Sequence, residues 1–211
     1  MDVKILAPGL VYIENIISNP SLLINKIENL CSKSESAPTE RTVAYNWDYW
    51  KDGQQTFCNQ IFLPIKEQLS EYDINYNDIY EIVDCCETIL DNALSEYYKI
   101  YKLAKDNIKR KERTISILKY SAGGYLPLHQ DLGISTRVLS TVIYLNDDYE
   151  GGNINFPEVN VTIKPKSGSI LLFPSNFVYA HEVQKIINGT RYCLPNFHHN
   201  TINIVDSDGT A

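Results

Sequence analysis

The chain has 211 residues, 44% of them apolar and 21% charged, and carries a formal net charge of −7. That length holds one domain with a sizeable core, and that composition excludes a disordered chain. The acidic balance weighs against sequence-independent nucleic-acid binding, which needs clustered Lys and Arg, and no apolar run approaches the ~18 residues of a membrane span.

The opening segment, Met1 to Pro8, lacks the basic start and long apolar stretch of a signal peptide. A cytoplasmic protein is expected. Five cysteines (Cys31, Cys58, Cys85, Cys86 and Cys193) make an odd set without Cys-x-x-Cys spacing, so buried free thiols are expected. The first half reads as a helix-rich support spanning 1–113. Leu23, Ile24, Ile27 and Leu30 recur at helical spacing after Pro20, which suits a first helical turn. Ser32 to Thr42 is polar, contains Pro38 and reads as a loop. A long helix is predicted over Ile79 to Leu103, where Ile82, Val83, Ile89, Leu90, Ala93, Leu94 and Tyr97 form one stripe. The aromatic cluster Tyr45, Trp47, Tyr49 and Trp50 is expected in core or lid packing, with a substrate-facing loop as the alternative. The basic stretch Lys105 to Arg113 reads as a solvated helix end or loop.

From Thr114 the pattern changes to short runs punctuated by Gly, Pro, Asn and Asp. Eight strands are predicted, at 115–120, 125–131, 137–145, 153–156, 159–164, 169–173, 180–186 and 190–197. Eight short strands in so few residues suggest a double-stranded β-helix, or jelly roll. The expected fold is therefore α+β and mostly β. A jelly-roll core at 114–199 is buttressed by N-terminal helices and followed by a polar tail at 200–211, all in a single domain.

Within this half stands His129-Gln130-Asp131. Residues i and i+2 of a strand share a face, so the triplet would present an imidazole and a carboxylate side by side. Alone this says little, because such a triplet arises readily by chance. Its weight comes from His181 in a later strand. Two histidines and one carboxylate on one side of an iron leave further positions open, the arrangement associated with Fe(II) oxygenases. Arg191 stands ten residues on, and a guanidinium is the natural bidentate partner of a carboxylate in a dry pocket.

Taken together, the second half resembles the 2-oxoglutarate/Fe(II) dioxygenases of the prolyl 4-hydroxylase type. The resemblance covers 114–199. It rests on Tyr120 to Asp131, Arg137, Val142 to Asn146, Gly151 to Pro157, Lys164 to Gly168, Phe173, His181 to Val183 and Gly189 to Tyr192. It implies His129, Asp131 and His181 as iron ligands at the catalytic centre. Arg191 and Tyr144 would hold the distal carboxylate of 2-oxoglutarate, Tyr120 would lie beside the oxoacid, and Arg137 would face a peptide substrate. Fe(II) is then the cofactor, 2-oxoglutarate and O2 are cosubstrates, and ascorbate is a candidate reductant. Asp131 favours hydroxylation over halogenation, since halogenating relatives carry a small residue there. The implied reaction hydroxylates a peptidyl residue, proline first, with release of succinate and CO2. Hydroxylation of a free amino acid or other small molecule is the alternative. Relatives that demethylate nucleic acid carry a second Arg six residues after the first, where this chain has Phe197. A non-enzymatic jelly-roll module would typically lack one of the three ligands. Neither a nucleic-acid nor a membrane partner is expected, and the oligomeric state stays open.

Two further expectations are geometric. Asn188-Gly189 would form a hairpin between the strands of His181 and Arg191. For both side chains to point inward, its loop must be Ile187-Asn188-Gly189 with Gly189 left-handed, or contain an equivalent bulge. His198 and His199 are expected at surface or edge positions. The acidic run Asn146 to Glu150 is expected to be a solvated loop.

Overall fold

The computed structural model describes residues 1–34, 47–52, 55–66, 77–110, 114–132 and 136–200. Two strongly apolar strands set the centre of the fold. Strand β8 (Arg137–Tyr144) and strand β12 (Ser169–Pro174) are buried along nearly their whole length, so both of their faces must be covered. They pair antiparallel, from Ser169 opposite Tyr144 to Pro174 opposite Leu139.

Around them grows a large sheet. On one side β12 pairs with β2 (Leu10–Glu14), which forms a hairpin with β1 (Asp2–Ala7). On the other side β8 pairs with β15 (Arg191–Asn200). Beyond it lie β6 (Thr114–Tyr120), β4 (Gln55–Pro64) and β3 (Asp48–Asp52), while the short β5 (Ile108–Arg110) pairs with the far end of β15. A second, smaller sheet has the order β11 (Val161–Ile163), β10 (Ile154–Phe156), β13 (His181–Val183) and β7 (Leu126–His129). A two-stranded piece joins β9 (Glu150–Gly151) to β14 (Ile186–Asn188). This is the predicted jelly roll.

The period-two alternation of the large sheet sorts its residues between two cores. Ile115, Ile117, Ile143, Ile170, Leu172 and Leu194 face the helices. Leu118, Tyr120, Val142, Tyr144, Leu171 and Phe173 face the smaller sheet. Helix α1 (Pro20–Ser34) starts at Asn19, whose side chain accepts the backbone N–H of Leu22 at 3.2 Å, and it buries Leu23, Ile27 and Cys31. Helix α2 (Asn77–Ile100) buries every residue of its predicted stripe. No helix among the described residues is long and apolar enough to cross a membrane. The five cysteines form no disulfide, and all but the half-buried Cys85 are buried.

Several expectations need correction. The first half is not only helical support, because β1 to β4 extend the large sheet at both ends. Helix α2 stops at Ile100 rather than Leu103. The single run predicted at 180–186 is two strands, β13 and β14, belonging to different sheets. His198 is not at the surface: it is fully buried, with Nε2 3.3 Å from the Thr141 hydroxyl. His199 is half-buried beside Thr136, at 2.9 Å. Trp47 packs against Tyr192 and Tyr49 is exposed, whereas Tyr45 and the Trp50 side chain lie outside the described residues. The loop expected at 32–42 lies mostly outside them as well, and the tail from 201 lies wholly outside.

The Gly151-Gly152 pair explains how the strands close over the site. Both residues are left-handed, at φ 73° and 63°. A Cβ on Gly151 would come within 2.3 Å of the Lys185 carbonyl oxygen, a backbone atom that cannot move aside cheaply. Gly151→Ala is expected to destabilise the fold by about 2–3 kcal/mol, from strain and clash together. An unfolding free energy from chemical denaturation lowered by less than about 0.5 kcal/mol would contradict it.

Candidate active site

The smaller sheet places two imidazoles face to face. His181 opens β13 and pairs directly with His129, the last residue of β7. Their ring centroids are 4.4 Å apart. In each ring Nδ1 sits on the carbonyl of the residue two before it: Pro127 at 2.8 Å for His129, Tyr179 at 3.1 Å for His181. A carbonyl only accepts, so Nδ1 carries the proton and Nε2 keeps its lone pair. Both Nε2 atoms face Asp131, whose oxygens lie 3.4 Å from His129 Nε2 and 3.9 Å from His181 Nε2. The three candidate ligand atoms lie within 4.8 Å of one another. Two neutral imidazole nitrogens and one carboxylate oxygen so disposed fit a divalent iron, and carbonyl partners on the remote nitrogens are the usual supports of such ligands.

Strand β7 ends at His129, so the strand expected to reach 131 does not, and Asp131 sits in a bend just beyond it. Strand alternation therefore does not aim the carboxylate. Burial pushes the Asp131 pKa up, but His129, His181 and the nearby Ser140 hydroxyl hold it net below the ordinary value. Burial lowers His181 to about 4, against which Asp131 acts only partly. At His129 burial also pulls downward, but Asp131 outweighs it and the net shift is upward. Phe156 and Phe173 pack on the His181 ring at 5.3 and 4.8 Å and keep that side dry.

A cavity of about 360 Å³ opens in front of these groups. Its opposite wall is the inner face of the large sheet. Neighbouring strands form successive rows there: Tyr120 with Arg191, then Gln60, Leu118, Cys193 and Tyr144, then Phe62 with Ser116 and Pro195 with Val142. The floor carries Arg191, which is 1% exposed, with its Cζ 4.9 Å from the Tyr120 ring and 5.2 Å from the Tyr144 ring. Arg191 Nε and Nη1 and the Tyr144 hydroxyl are buried without a hydrogen-bond partner. A cluster of buried donors without an acceptor is costly unless an anion completes it. Its chemistry fits the carboxylate of an oxoacid. The Tyr120 hydroxyl is engaged by the Cys58 thiol, so Tyr120 offers its ring to the cavity. Arg137 lines the mouth, its Cζ 3.7 Å from the Phe197 ring centroid.

The structure thus gathers all seven residues singled out from sequence around one cavity. It does so by a route other than the expected hairpin. Gly189 is left-handed as expected, at φ 82°. However, β14 pairs with β9, while β15 pairs with β6 and β8. The chain crosses from one sheet to the other at this glycine, so His181 and Arg191 face each other across the barrel and need not share one face of a hairpin. One residue escaped the sequence reading. Tyr149, within the run expected to be solvated, is 3% exposed and lies beside Arg191.

Residues 115–199 match the family model of the 2OG-Fe(II) oxygenase superfamily. The His129-Asp131-His181 triad, which could hold a metal ion, lies inside the matched stretch. The fold of the chain is shared with solved prolyl hydroxylases. The viral collagen prolyl hydroxylase vCPH from Paramecium Bursaria Chlorella virus-1, solved with 2OG, superposes with a TM-score of 0.58 at 15% identity, over 92% of this chain and 97% of that one. A prolyl hydroxylase from Trichoplax adhaerens, in complex with a hypoxia inducible factor peptide fragment, gives 0.62 at 18% identity, over 91% and 84%. Among curated proteins, Prolyl 3-hydroxylase 2 of Rattus norvegicus and of Homo sapiens are each 38% identical over 60 residues. That stretch is 26% of this chain and only 8% of either relative's length.

Proposed function

We propose that the protein hydroxylates a peptidyl residue, proline first, with release of succinate and CO2. His129, Asp131 and His181 hold the iron. Arg191 and Tyr144 bind the distal carboxylate of 2-oxoglutarate, with Tyr120 bracing the guanidinium, and Arg137 meets the substrate at the mouth. Bound there, iron and 2-oxoglutarate supply the activation of O2 and the insertion of one oxygen atom into a substrate C–H bond. The protein's own residues orient these partners and exclude water. Arg191 fixes one end of the oxoacid, the imidazoles offer unprotonated Nε2 atoms, and Phe156 and Phe173 wall off solvent.

The observation that favours a peptide is the charge inventory of the cavity. Among the described lining residues Asp131 is the one carboxylate, and it is committed to the metal. A free amino acid would bring an ammonium group with no anionic partner, at a considerable desolvation cost. A peptidyl residue brings neutral amides, which suit a mouth of Phe62, Pro195 and Phe197. The Trichoplax neighbour, a prolyl hydroxylase bound to a peptide fragment, and the viral collagen prolyl hydroxylase support the same reading. Phe197, stacked on Arg137, occupies the position that would carry a second arginine in a nucleic-acid demethylase.

Mass spectrometry of proline-rich peptides after incubation with Fe(II), 2-oxoglutarate and ascorbate tests this. The expected result is a gain of one oxygen on the peptide, absent with His129→Ala, and no product from free proline. Product from free proline and none from any peptide would reverse the assignment.

A further inference from the structure

Three buried donors on the cavity floor lack an acceptor, Arg191 Nε, Arg191 Nη1 and the Tyr144 hydroxyl, and a fourth buried group, the Tyr149 hydroxyl, lies beside the Arg191 guanidinium just outside the cavity lining. The function proposed above uses the first three. We infer that Tyr149 is a fourth donor to the distal carboxylate of 2-oxoglutarate.

The donor count suits the ligand. An ionised carboxylate offers about four lone-pair positions on its two oxygens and donates nothing. A guanidinium edge fills two of them, and two phenols fill the rest. The Tyr149 hydroxyl lies beside the guanidinium, and in any bond between them Arg191 is the donor, so the phenolic proton has no acceptor there and needs a third party. Burial raises the pKa of Tyr149, as it does that of Tyr144, so both remain protonated donors at neutral pH.

The fold holds Tyr149 in place from several sides. Lys164 Nζ donates to the Tyr149 carbonyl and sits 4.9 Å from its ring centroid. A Cβ on Gly152 would meet the ring Cε2 at 2.9 Å, and one on Gly189 would meet the Tyr149 Cα at 3.0 Å. Both glycines are left-handed and let the backbone close around this one side chain. A surface tyrosine would need none of this. The ring belongs to the same buried cluster as Tyr144 and Tyr120. Tyr149 therefore belongs to the cosubstrate site despite the acidic residues on either side of it.

The inference rests on the proposed use of 2-oxoglutarate, and the test separates the two. Binding of 2-oxoglutarate and of pyruvate, which lacks the distal carboxylate, is measured by calorimetry on the Mn(II)-loaded full chain. Wild type is compared with Tyr149→Phe and Tyr144→Phe, with melting temperatures as a check on folding. Tyr149→Phe should weaken 2-oxoglutarate binding about tenfold, the effect of losing one hydrogen bond to a charged acceptor, and leave pyruvate unchanged. In turnover it should raise KM for 2-oxoglutarate with kcat preserved. Unchanged 2-oxoglutarate affinity, or equal weakening of both acids, overturns the role of Tyr149 alone. Failure of the wild type to bind 2-oxoglutarate overturns both readings.

Discussion

Arg191→Met is expected to abolish useful binding of 2-oxoglutarate and, at the same time, to make the ligand-free protein more stable. The two effects share one cause. The guanidinium is 1% exposed, and two of its nitrogens lack a partner. A buried charge without its counterion costs free energy that the rest of the fold must offset. Methionine keeps much of the apolar stem and removes that cost. A gain of about 1–4 kcal/mol is the range seen when buried ionic groups give way to apolar ones, which in a chain of this size raises the melting temperature by several degrees. Affinity moves the other way. Removing one partner of a buried, hydrogen-bonded charge pair costs about 2–5 kcal/mol, or roughly 30- to several thousand-fold. Saturating 2-oxoglutarate should therefore raise the melting temperature of the wild type and leave that of the variant unchanged. A variant that is less stable without ligand, yet keeps its response to 2-oxoglutarate, would show that Arg191 serves packing instead. Sites that trade stability for an anion behave in this way, and the orphaned donors on this cavity floor are the structural trace of the trade.

How far such a site can be read from sequence depends on which physical signal carries each part. Strands β6, β8, β12 and β15 are legible because they alternate, or run apolar throughout, between clear turn residues. Helix α2 is legible because its stripe is long and uninterrupted. Strands β1 to β4 are not. The run Val3 to Glu14 has no period of its own. It becomes sheet because Ile13 pairs with Ile170, far along the chain. The ligand set is legible from residue type and order, but its geometry is not. Alternation along one strand would aim His129 and Asp131 together, whereas the strand ends at His129 and Asp131 is turned in from a bend. A hairpin at Gly189 would require consecutive strands to pair. The chain instead crosses between sheets there, and a left-handed glycine serves that crossing as well as it would serve a hairpin. Tyr149 was hidden by its neighbours. Asp147, Asp148 and Glu150 are exposed as their charge demands, while the tyrosine among them turns inward.

The metal ligands carry the largest expected loss. His181→Ala should reduce metal affinity by more than about 100-fold, since even changes to the groups supporting a ligand cost 10- to 100-fold, and peptide hydroxylation should become undetectable. Its ring is pinned by the Tyr179 carbonyl, Phe156 and Phe173, so no neighbouring side chain can take its place. The two histidines should also respond differently to pH. His181, lowered to about 4 by burial, is already unprotonated at neutral pH and gives up no proton when metal binds. His129, raised by Asp131 against the effect of its burial, is the one of the two that takes up a proton first as pH falls, and that proton must leave when metal binds. Metal affinity should therefore fall about tenfold for each unit of pH below the raised His129 value, with one proton released per ion. Without metal the two histidines act on stability with opposite sign. The folded value of His181 lies below 6.5, so the unfolded chain takes up the extra proton and stability is lost as pH falls from about 6.5 towards 4. The folded value of His129 lies above 6.5, so its contribution is present at low pH and lost as pH rises through that value. Mn(II) titrations by calorimetry in buffers of different ionisation enthalpy count the protons directly. A count of two would mean that His181 is charged in the ligand-free site. That would contradict the dry wall of Phe156 and Phe173, on which its role as a neutral ligand rests.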